Sequence, residues 1–587
     1  MADPSKQPFR LFPLLRLIVA PDAGFFYVAA IYAVAISLFT LAVPISVQIL
    51  IEAVANTTVV RAVVVLSLGL FAVLALSGFL VALQVWAMEV FERRFFARMT
   101  SEIALRLVYA DHDALLNRNR DDLMNRFFEI MNLQKTLPAM AVGGTTLVLQ
   151  TLVGYVVVSF YHPVFFAFSL AHALLVYFVW RVVDNQAIAS AVDISSAKLD
   201  MADWLESITR NNHFFKARRT IDYALERTEH HANKYLDQHR RHFRYTFTQV
   251  IGLLGLYALA SAALLGIGGF LVIAGELSLG QLVAAELILG AIFAGLAGFH
   301  YYLELYYDLC AGLHKLSQFY SLPLEEADQP RIDTLGSSIR LVDVSHSYRG
   351  VMYFLDGEFR AGSCTLVASR SGGAVHVMRN LLQRFQEPEK GRIEVGGHDI
   401  RDINVHDLRD QVHFLNEDTL IEGSIADNLA IAGEHVTRVA MHAELELLGL
   451  SDALDELVEG LELRVAADGY PLVSTEAMRV KVVQALLMRP RVLVIAPHFD
   501  ALQCAHRRAI VARARELSIT LIFLSNRRDL DAFDRYALLD PQITGDEPRT
   551  FETLAGLISF EIEQGISDVT AGGELGALAQ SKEGSHG

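Results

Sequence analysis

The chain is poor in cysteine and in positive charge, and both shortages exclude functional classes. Its 587 residues include three cysteines, Cys310, Cys364 and Cys504, which are far apart and odd in number. This count argues against a disulfide framework and against a metal site built from cysteine. The net charge is −16, so no overall basic field favours nucleic acid. We therefore expect neither a metal site nor a nucleic-acid partner.

Long runs without charged residues are confined to the first half of the chain. A transmembrane helix needs roughly 20 mostly apolar residues. Six segments meet this requirement, and we predict them as membrane spans in contact with lipid: residues 25–51, 62–88, 138–160, 163–181, 246–273 and 281–303. The first run is too long for the apolar region of a cleavable signal peptide. Pro44 lies within it and is expected to kink the helix.

The two long links between the spans, residues 91–135 and 182–245, are rich in arginine and lysine. The positive-inside rule places both links and the N-terminus in the cytoplasm, and six spans return the C-terminal half to the same side. We therefore predict an integral protein of the cytoplasmic (inner) membrane. Structureless loops of this length are uncommon, and apolar residues such as Ile103 and Leu107 recur at helical spacing. We expect the links to be helical extensions of the spans.

Four titratable residues lie in or near the predicted spans. Glu286 is the clearest, in the sixth span; His172 lies in the fourth, and His300 and Glu304 lie near the end of the sixth. A charge at the bilayer centre costs at least about 2.5–3.5 kcal/mol, so such residues usually face a cavity or a partner. We interpret them as candidates for substrate or proton contact. The alternative is a protonated or paired group that holds helices together.

The second half has the pattern of an α/β protein. Residues 321–338 are acidic, contain two prolines and are interpreted as a linker between a membrane domain, residues 1–320, and a second domain, residues 339–555. Apolar strand patterns alternate there with helical patterns, which predicts a largely parallel sheet covered on both faces. The strand patterns are "IRLVDVSHSY", "TLVAS", "RVLVIAP" and "ITLIFLS". The polar tail, residues 556–587, is expected to be disordered.

Several short motifs follow one another along the chain from residue 268 onward. They are "GGFLVIAGELSLGQLVAAELIL" (268–289), "VSHSY" (344–348), "SRSGGAVHV" (369–377), "RFQEPEKGRIEVGGHDI" (384–400), "LRDQVHFLNED" (408–418), "LVSTEAMRVKVVQALLMRP" (472–490), "VLVIAP" (492–497) and "FLSNRR" (523–528). In this order, with these gaps, the sequence resembles an ABC exporter half, in which six spans precede a nucleotide-binding domain. The resemblance covers nearly the whole chain.

The phosphate-binding (Walker A) position lacks the side chains that its chemistry requires. Such a loop uses glycines that let backbone N–H groups approach phosphate, a lysine for the β- and γ-phosphates and a hydroxyl group on Mg²⁺. Gly372 and Gly373 are present. Val375 stands at the lysine position and His376 at the hydroxyl position. Arg370 is the nearby cation and a weak candidate for a substitute anchor, with an ordinary surface charge as the alternative.

The other positions implied by the resemblance have also changed. The metal-binding aspartate and the carboxylate that activates water are replaced by Ala496 and Pro497. Glu417 replaces the Q-loop glutamine and Asn526 the switch histidine. The signature is replaced by Val473, Ser474, Thr475 and Glu476, and Glu476 would repel a phosphate. Tyr348 remains a weak candidate for stacking on adenine, with a core residue as the alternative.

These replacements predict a pseudo-ATPase that has no catalytic residues and binds ATP and Mg²⁺ weakly or not at all. The first hypothesis is an exporter-like transporter, most simply a homodimer, that works without hydrolysing ATP itself, with a periplasmic adaptor as a possible partner. The second is a scaffold or regulator that does not transport. The third is the inactive half of a heterodimer with an active half. The sequence does not indicate the substrate.

Overall fold

The chain forms two compact units, Met1–Leu324 and Glu325–Gly587. The computed structural model describes residues 11–56, 60–116, 120–325, 329–330, 336–369, 372–451, 459–538 and 549–564. The boundary between the units falls inside the predicted linker at 321–338. Glu325 belongs to the second unit, because its two carboxylate oxygens accept from the Arg409 guanidinium at 2.6 and 2.9 Å. Residues 326–328 and 331–335 of that linker lie outside the described residues.

The described residues of the first unit are mostly helical, with short turns and one isolated β-bridge between Ala110 and Leu324. Its helices are α1 (Leu11–Val19), α2 (Ala23–Phe39), α3 (Ala42–Asn56), α4 (Val60–Val108), α5 (His112–Leu116), α6 (Arg120–Phe127), α7 (Glu129–Ala139), α8 (Thr145–Ser159), α9 (Pro163–Arg210), α10 (Arg218–Ile273), α11 (Leu279–Ala297) and α12 (His300–Tyr320). Short 3-10 turns cover Ala20–Asp22 and Phe214–Lys216.

Within the described residues, six helical stretches are long and apolar enough to cross a membrane. They are Pro13–Ala53, Val63–Val108, Asn125–Ser159, Pro163–Arg210, Arg218–Ile273 and Leu279–Ala297. The predicted fold class is confirmed for this half. The expected helical extensions are also present, because α4, α9 and α10 continue far beyond their apolar parts. Large apolar side chains such as Phe71 and Phe79 are exposed on α4, as is usual for a helix that faces lipid.

Three of the spans are less regular than the sequence predicts. The first is broken between Phe39 and Ala42, so that Pro44 lies in the first turn of α3, where its missing N–H is tolerated. The third contains a π-helical turn at Met140–Gly144. The predicted sixth span at 281–303 is wrong at its end, because α11 stops at Ala297 and α12 begins at His300.

The second unit is an α/β domain. Its strands are β1 (Ile339–Tyr348), β2 (Val351–Phe359), β3 (Cys364–Ala368), β4 (Lys390–Val395), β5 (His398–Asp399), β6 (Val412–Leu415), β7 (Gly423–Ser424), β8 (Arg464–Val465), β9 (Val492–Ile495), β10 (Thr520–Ser525), β11 (Arg535–Leu538) and β12 (Arg549–Phe551). Its helices are α13 (Gly372–Leu382), α14 (Val405–Gln411), α15 (Ile425–Ala430), α16 (Arg438–Leu447), α17 (Ser474–Met488), α18 (Cys504–Glu516) and α19 (Leu554–Glu563).

The central sheet has the strand order β12-β11-β3-β10-β9-β6, and its pairs are parallel except for the β11–β12 pair. The expected parallel sheet is therefore confirmed. The sequence did not predict the antiparallel sheet β2-β1-β4-β5 beside it. In that sheet β1 carries a bulge before Val344, and Gly391 faces it with φ +81°. A Cβ at Gly391 would lie 2.3 Å from the Val342 carbonyl oxygen, which explains the glycine.

The predicted disordered tail begins inside an ordered element. Leu557 of α19 is fully buried in the core of the unit, and Phe560 is nearly so. The buried Glu561 carboxylate accepts two hydrogen bonds from Arg528 at 2.7 and 3.0 Å. The prediction of disorder from residue 556 is therefore wrong up to Glu563, because apolar residues at helical spacing pack there. Residues 565–587 lie outside the described residues.

Candidate functional site

The predicted Walker A, Walker B and switch positions lie at the carboxyl ends of three adjacent parallel strands. Ala368 at the end of β3 is opposite Ser525 at the end of β10, and β10 pairs with β9 on its other side. The N–H of Ser369 donates to the Ser525 carbonyl at 3.3 Å. Ligands of open α/β sheets bind at this edge. The backbone frame of a nucleotide site is thus present.

The lysine position of the loop is part of the apolar core. Val375 is 8% exposed and packs in a cluster with Val377, Met378 and Leu381 of the same helix, α13. A side chain that reached a phosphate would have to point out of this cluster. Arg370, the weak substitute anchor, lies outside the described residues together with Ser371.

The side chains at the hydroxyl position and at the adenine-stacking position contact each other. The His376 ring stacks on the Tyr348 ring with centroids 4.2 Å apart and an interplanar angle of 29°. His376 Nε2 also lies 3.1 Å from Asn380 Nδ2, which fixes the imidazole from the far side. Tyr348 packs against the same apolar cluster as Val375. The aromatic residue therefore already stacks on a ring of its own chain.

The Walker B position holds no carboxylate, and the nearest acid has another role. Ala496 is buried, and its N–H donates to the Leu415 carbonyl at 2.8 Å. Asp500 lies four residues further on and accepts from Ser525 Oγ and from the Asn526 N–H, both at 2.7 Å. Burial raises the pKa of Asp500, and these two hydrogen bonds oppose the shift. This aspartate fixes the backbone of the switch segment, while Asn526 itself is exposed.

Asp418, which the sequence analysis did not single out, joins three of the motif segments. Its Oδ2 accepts from Ser474 Oγ of the signature at 2.9 Å, and its Oδ1 lies 3.4 Å from Nε2 of His498, just after the Walker B strand. Burial opposes ionisation, but the hydrogen bonds from Ser474 and His498 keep the pKa of Asp418 below its ordinary value. The neighbouring Glu417, at the Q-loop position, is exposed.

The N-terminus of the signature helix α17 carries its own carboxylate. Glu476 Oε2 accepts from the Val473 N–H at 3.0 Å, and Glu476 Oε1 lies 3.9 Å from Arg479. Helix N-termini attract anions because their N–H groups are unsatisfied and the helix dipole is positive there. Here the Glu476 carboxylate accepts a hydrogen bond at that helix end and supplies the negative charge. Val473, Ser474 and Thr475 are exposed at the surface.

Several of the described positions lack the side chains that usually hold Mg²⁺-bound ATP. Val375 and Ala496 are apolar and buried, and the Tyr348 ring stacks on a histidine of the same chain. Ser474 and Asn526, in contrast, are polar and exposed. Among the described residues, no group of three or more histidine, cysteine, aspartate or glutamate side chains could hold a metal ion.

The four titratable candidates of the first unit lie in different surroundings. His172 is buried; its Nδ1 lies 2.5 Å from the Tyr155 hydroxyl and its ring packs against Phe293, an arrangement that joins α8, α9 and α11. Glu286 on α11 has a buried Oε2 without a hydrogen-bond partner among the described residues. His300 and Glu304 are exposed on α12, beyond the end of the sixth span. The structure does not bring the four residues into one site.

Comparison with known proteins agrees with this architecture. Residues 26–296 match the family model of the ABC transporter transmembrane region. The leukotoxin translocation ATP-binding proteins LktB of Mannheimia haemolytica and of Bibersteinia trehalosi are each 23% identical over 424 residues, which cover 70% of this chain and 59% of theirs. The solved structure of a bacterial Atm1-family ABC exporter with ATP bound superimposes with a TM-score of 0.81 at 18% identity, over 94% of this chain and 99% of that one. The expected resemblance to ABC exporters is confirmed.

Proposed function

Because the chain has the membrane region of an ABC transporter and the fold of an ABC exporter, we propose that it is an exporter-like membrane transporter whose α/β unit does not hydrolyse ATP. The observation that carries this proposal is the stack of His376 on Tyr348. An adenine ring would have to displace the imidazole from Tyr348. It would then find Val375 where its phosphates need a lysine, and each lost charge-assisted hydrogen bond forfeits roughly 1.5–3 kcal/mol.

The other positions support the same proposal. Without an acid at Ala496 or Pro497, neither Mg²⁺ nor the attacking water has its usual ligand. Glu476 places a negative charge where a second subunit would present a γ-phosphate. The α/β unit nevertheless keeps a packed core, which is consistent with a structural role such as holding two subunits together.

The architecture supports a proposal for the partners and the location. One membrane unit and one α/β unit make half of an ABC exporter, so the working form is a dimer, most simply a homodimer, in the cytoplasmic (inner) membrane. The arginine-rich helix extensions favour a cytoplasmic location for both termini under the positive-inside rule. A periplasmic adaptor is a compatible additional partner. A heterodimer with an active half is the weaker alternative, since Glu476 would also damage the opposing site.

The energy for any transport must then come from elsewhere, and Glu286 is the candidate for coupling to protons. Its Oε2 is buried and unpartnered among the described residues, and an ionisable residue within a membrane helix is usually functional. If the chain moves no solute under any gradient, the scaffold hypothesis replaces transport.

The proposal is tested by titrating the purified full-length protein with ATP, with and without Mg²⁺. We expect no saturable binding up to millimolar ATP and phosphate release at the level of protein-free detergent micelles. Tyr348→Ala is the matched variant, because it removes the ring on which adenine stacks in the family. Saturable binding that requires Mg²⁺ and disappears in Tyr348→Ala would overturn the proposal.

A further inference from the structure

We propose that a cavity of about 740 Å³ in the membrane unit binds a neutral aromatic small molecule. Ligand pockets of drug-sized molecules usually measure about 300–1,000 Å³, so the volume suits one such ligand. This assignment rests on the proposed transport function and adds the chemical class of its substrate.

The cavity lies at the depth of the bilayer core. It is lined by parts of α2, α8, α9 and α12, including Ala30, Val148 and Ala173. Ala173 is ten residues, or about 15 Å, from the start of α9 at Pro163. The hydrocarbon core is about 30 Å thick, so the cavity begins near mid-membrane and extends toward the charged helix extensions. The depth of the cavity therefore suits a solute that dissolves in lipid.

Six of the nineteen lining residues are aromatic. They are Phe26, Tyr177, Trp180, Phe299, Tyr302 and Tyr306. The Trp180 ring lies edge-on to Tyr177, with centroids 5.8 Å apart, and 6.5 Å from Tyr306. Edge-to-face and offset arrangements of this kind are favourable between aromatic rings, in addition to the effect of burial. A flat aromatic ligand would extend this set of contacts.

The lining excludes charged ligands. Among the described residues that line the cavity, none is an aspartate, glutamate, lysine, arginine or histidine. An unpaired charge transferred into such surroundings loses its hydration without gaining a partner. A neutral molecule has no such cost, and the removal of its apolar surface from water is favourable. The cavity should therefore discriminate by charge between molecules of the same shape.

Two of the three irregular points in the membrane helices line this cavity, which is a second and independent observation. Met140 and Gly144 of the π-helical turn line one wall, and Phe299, in the break between α11 and α12, lines another. π-turns occur frequently at functional sites. A Cβ at Gly143 would lie 2.2 Å from Tyr302 Oη, so the turn also gives the tyrosine ring its place.

The test uses two probes with the same ring system. N-phenyl-1-naphthylamine is neutral, and 8-anilinonaphthalene-1-sulfonate is its sulfonated anion. The chain has three tryptophans, so Trp86→Phe with Trp204→Phe leaves Trp180 as the sole donor for energy transfer to a bound probe. In the full-length protein without nucleotide, we expect saturable transfer to the neutral probe at one site per chain and at least about tenfold weaker binding of the sulfonate.

A cavity-filling variant separates this site from dissolution in detergent. Ala173→Phe should weaken neutral-probe binding at least about tenfold, because the new ring occupies the site. Ala75→Phe, on the exposed face of α4, is the matched control and should change nothing. If Ala173→Phe does not elute as a folded protein, Val148→Phe tests the same space from the opposite wall. Non-saturable transfer, equal binding of both probes, or unchanged binding in the filled variants would overturn the assignment. No nucleotide is present, so failure here is distinct from failure of the pseudo-ATPase proposal.

Discussion

Replacing Val375 by lysine distinguishes a phosphate pocket from a packed core. In an open Walker A loop, Val375→Lys would restore a missing phosphate ligand. Here the valine is 8% exposed inside an apolar cluster. We therefore expect the lysine variant to lose stability and to gain no ATP binding.

The magnitude follows from the burial of the side chain. Losing a buried valine forfeits about 1.5–3 kcal/mol. The ammonium group must then reach solvent through a strained path or lose its charge, which adds to the cost. A total near 3 kcal/mol lowers the unfolding temperature of a unit of this size by roughly 6–12 °C, at about 2–4 °C for each kcal/mol.

The assay is thermal unfolding of the full-length protein in detergent, combined with an ATP titration. Val375→Ile is the matched control, because it keeps the position apolar and should cost less than about 1.5 kcal/mol. If the lysine variant unfolded at the wild-type temperature and bound ATP with Mg²⁺, the position would be an open phosphate pocket and the reasoning would be refuted.

Three further predictions concern single residues. Glu561→Ala leaves the Arg528 guanidinium buried without its partner, and we expect a loss of about 3–5 kcal/mol in unfolding free energy, visible in denaturant titration; a loss below 1 kcal/mol, on the order of an exposed pair, would contradict burial of the pair. The folded-state pKa of Asp418 is lowered, so its ionised form stabilises the fold above the unfolded pKa of about 4 and this contribution is lost as the pH falls further. The difference in unfolding temperature between wild type and Asp418→Asn should accordingly be largest near neutral pH and shrink below about pH 4; a constant difference would disprove the role. In vesicles with an imposed pH gradient, Glu286→Gln should slow dissipation of the gradient while Glu304→Gln leaves it unchanged, and equal rates for both would remove the proton-coupling idea.

The sequence predicted those parts of the fold that local pattern controls. The alternating stretch at 339–348 is β1, and the apolar run before Ala496 is β9, because side-chain period and burial are local properties. The break after Ala297 and the π-turn at Met140–Gly144 were missed, since apolar residues continue through both and hydropathy alone cannot show a change in backbone hydrogen bonding.

Only part of the candidate site could be predicted from the sequence. The absence of lysine and carboxylates could be recognised from the motif order, but the stack of His376 on Tyr348 depends on residues brought together by two elements. The contact between Asp418 and His498 did have a signal. Leu415 and Ile495 are paired in parallel at the ends of β6 and β9, and each of the two polar residues lies three positions beyond its strand end. Equal spacing past a shared sheet edge favours their meeting.

The paired helices α9 and α10 have a mechanical consequence. They are bound together along their length by Ser190 to His242 at 2.8 Å, Lys234 to Asp200 at 2.5 Å and Trp204 to Thr228 at 2.9 Å. The 56 residues of α10 span about 84 Å, of which about 30 Å can lie in hydrocarbon. A stiff rod that projects roughly 50 Å beyond its pivot moves its tip by about 9 Å when it tilts by about 10°. Small rearrangements around a solute in the bilayer would thus be magnified at the 3-10 turn Phe214–Lys216, and a force applied at that turn would be multiplied by the same ratio at the bilayer end.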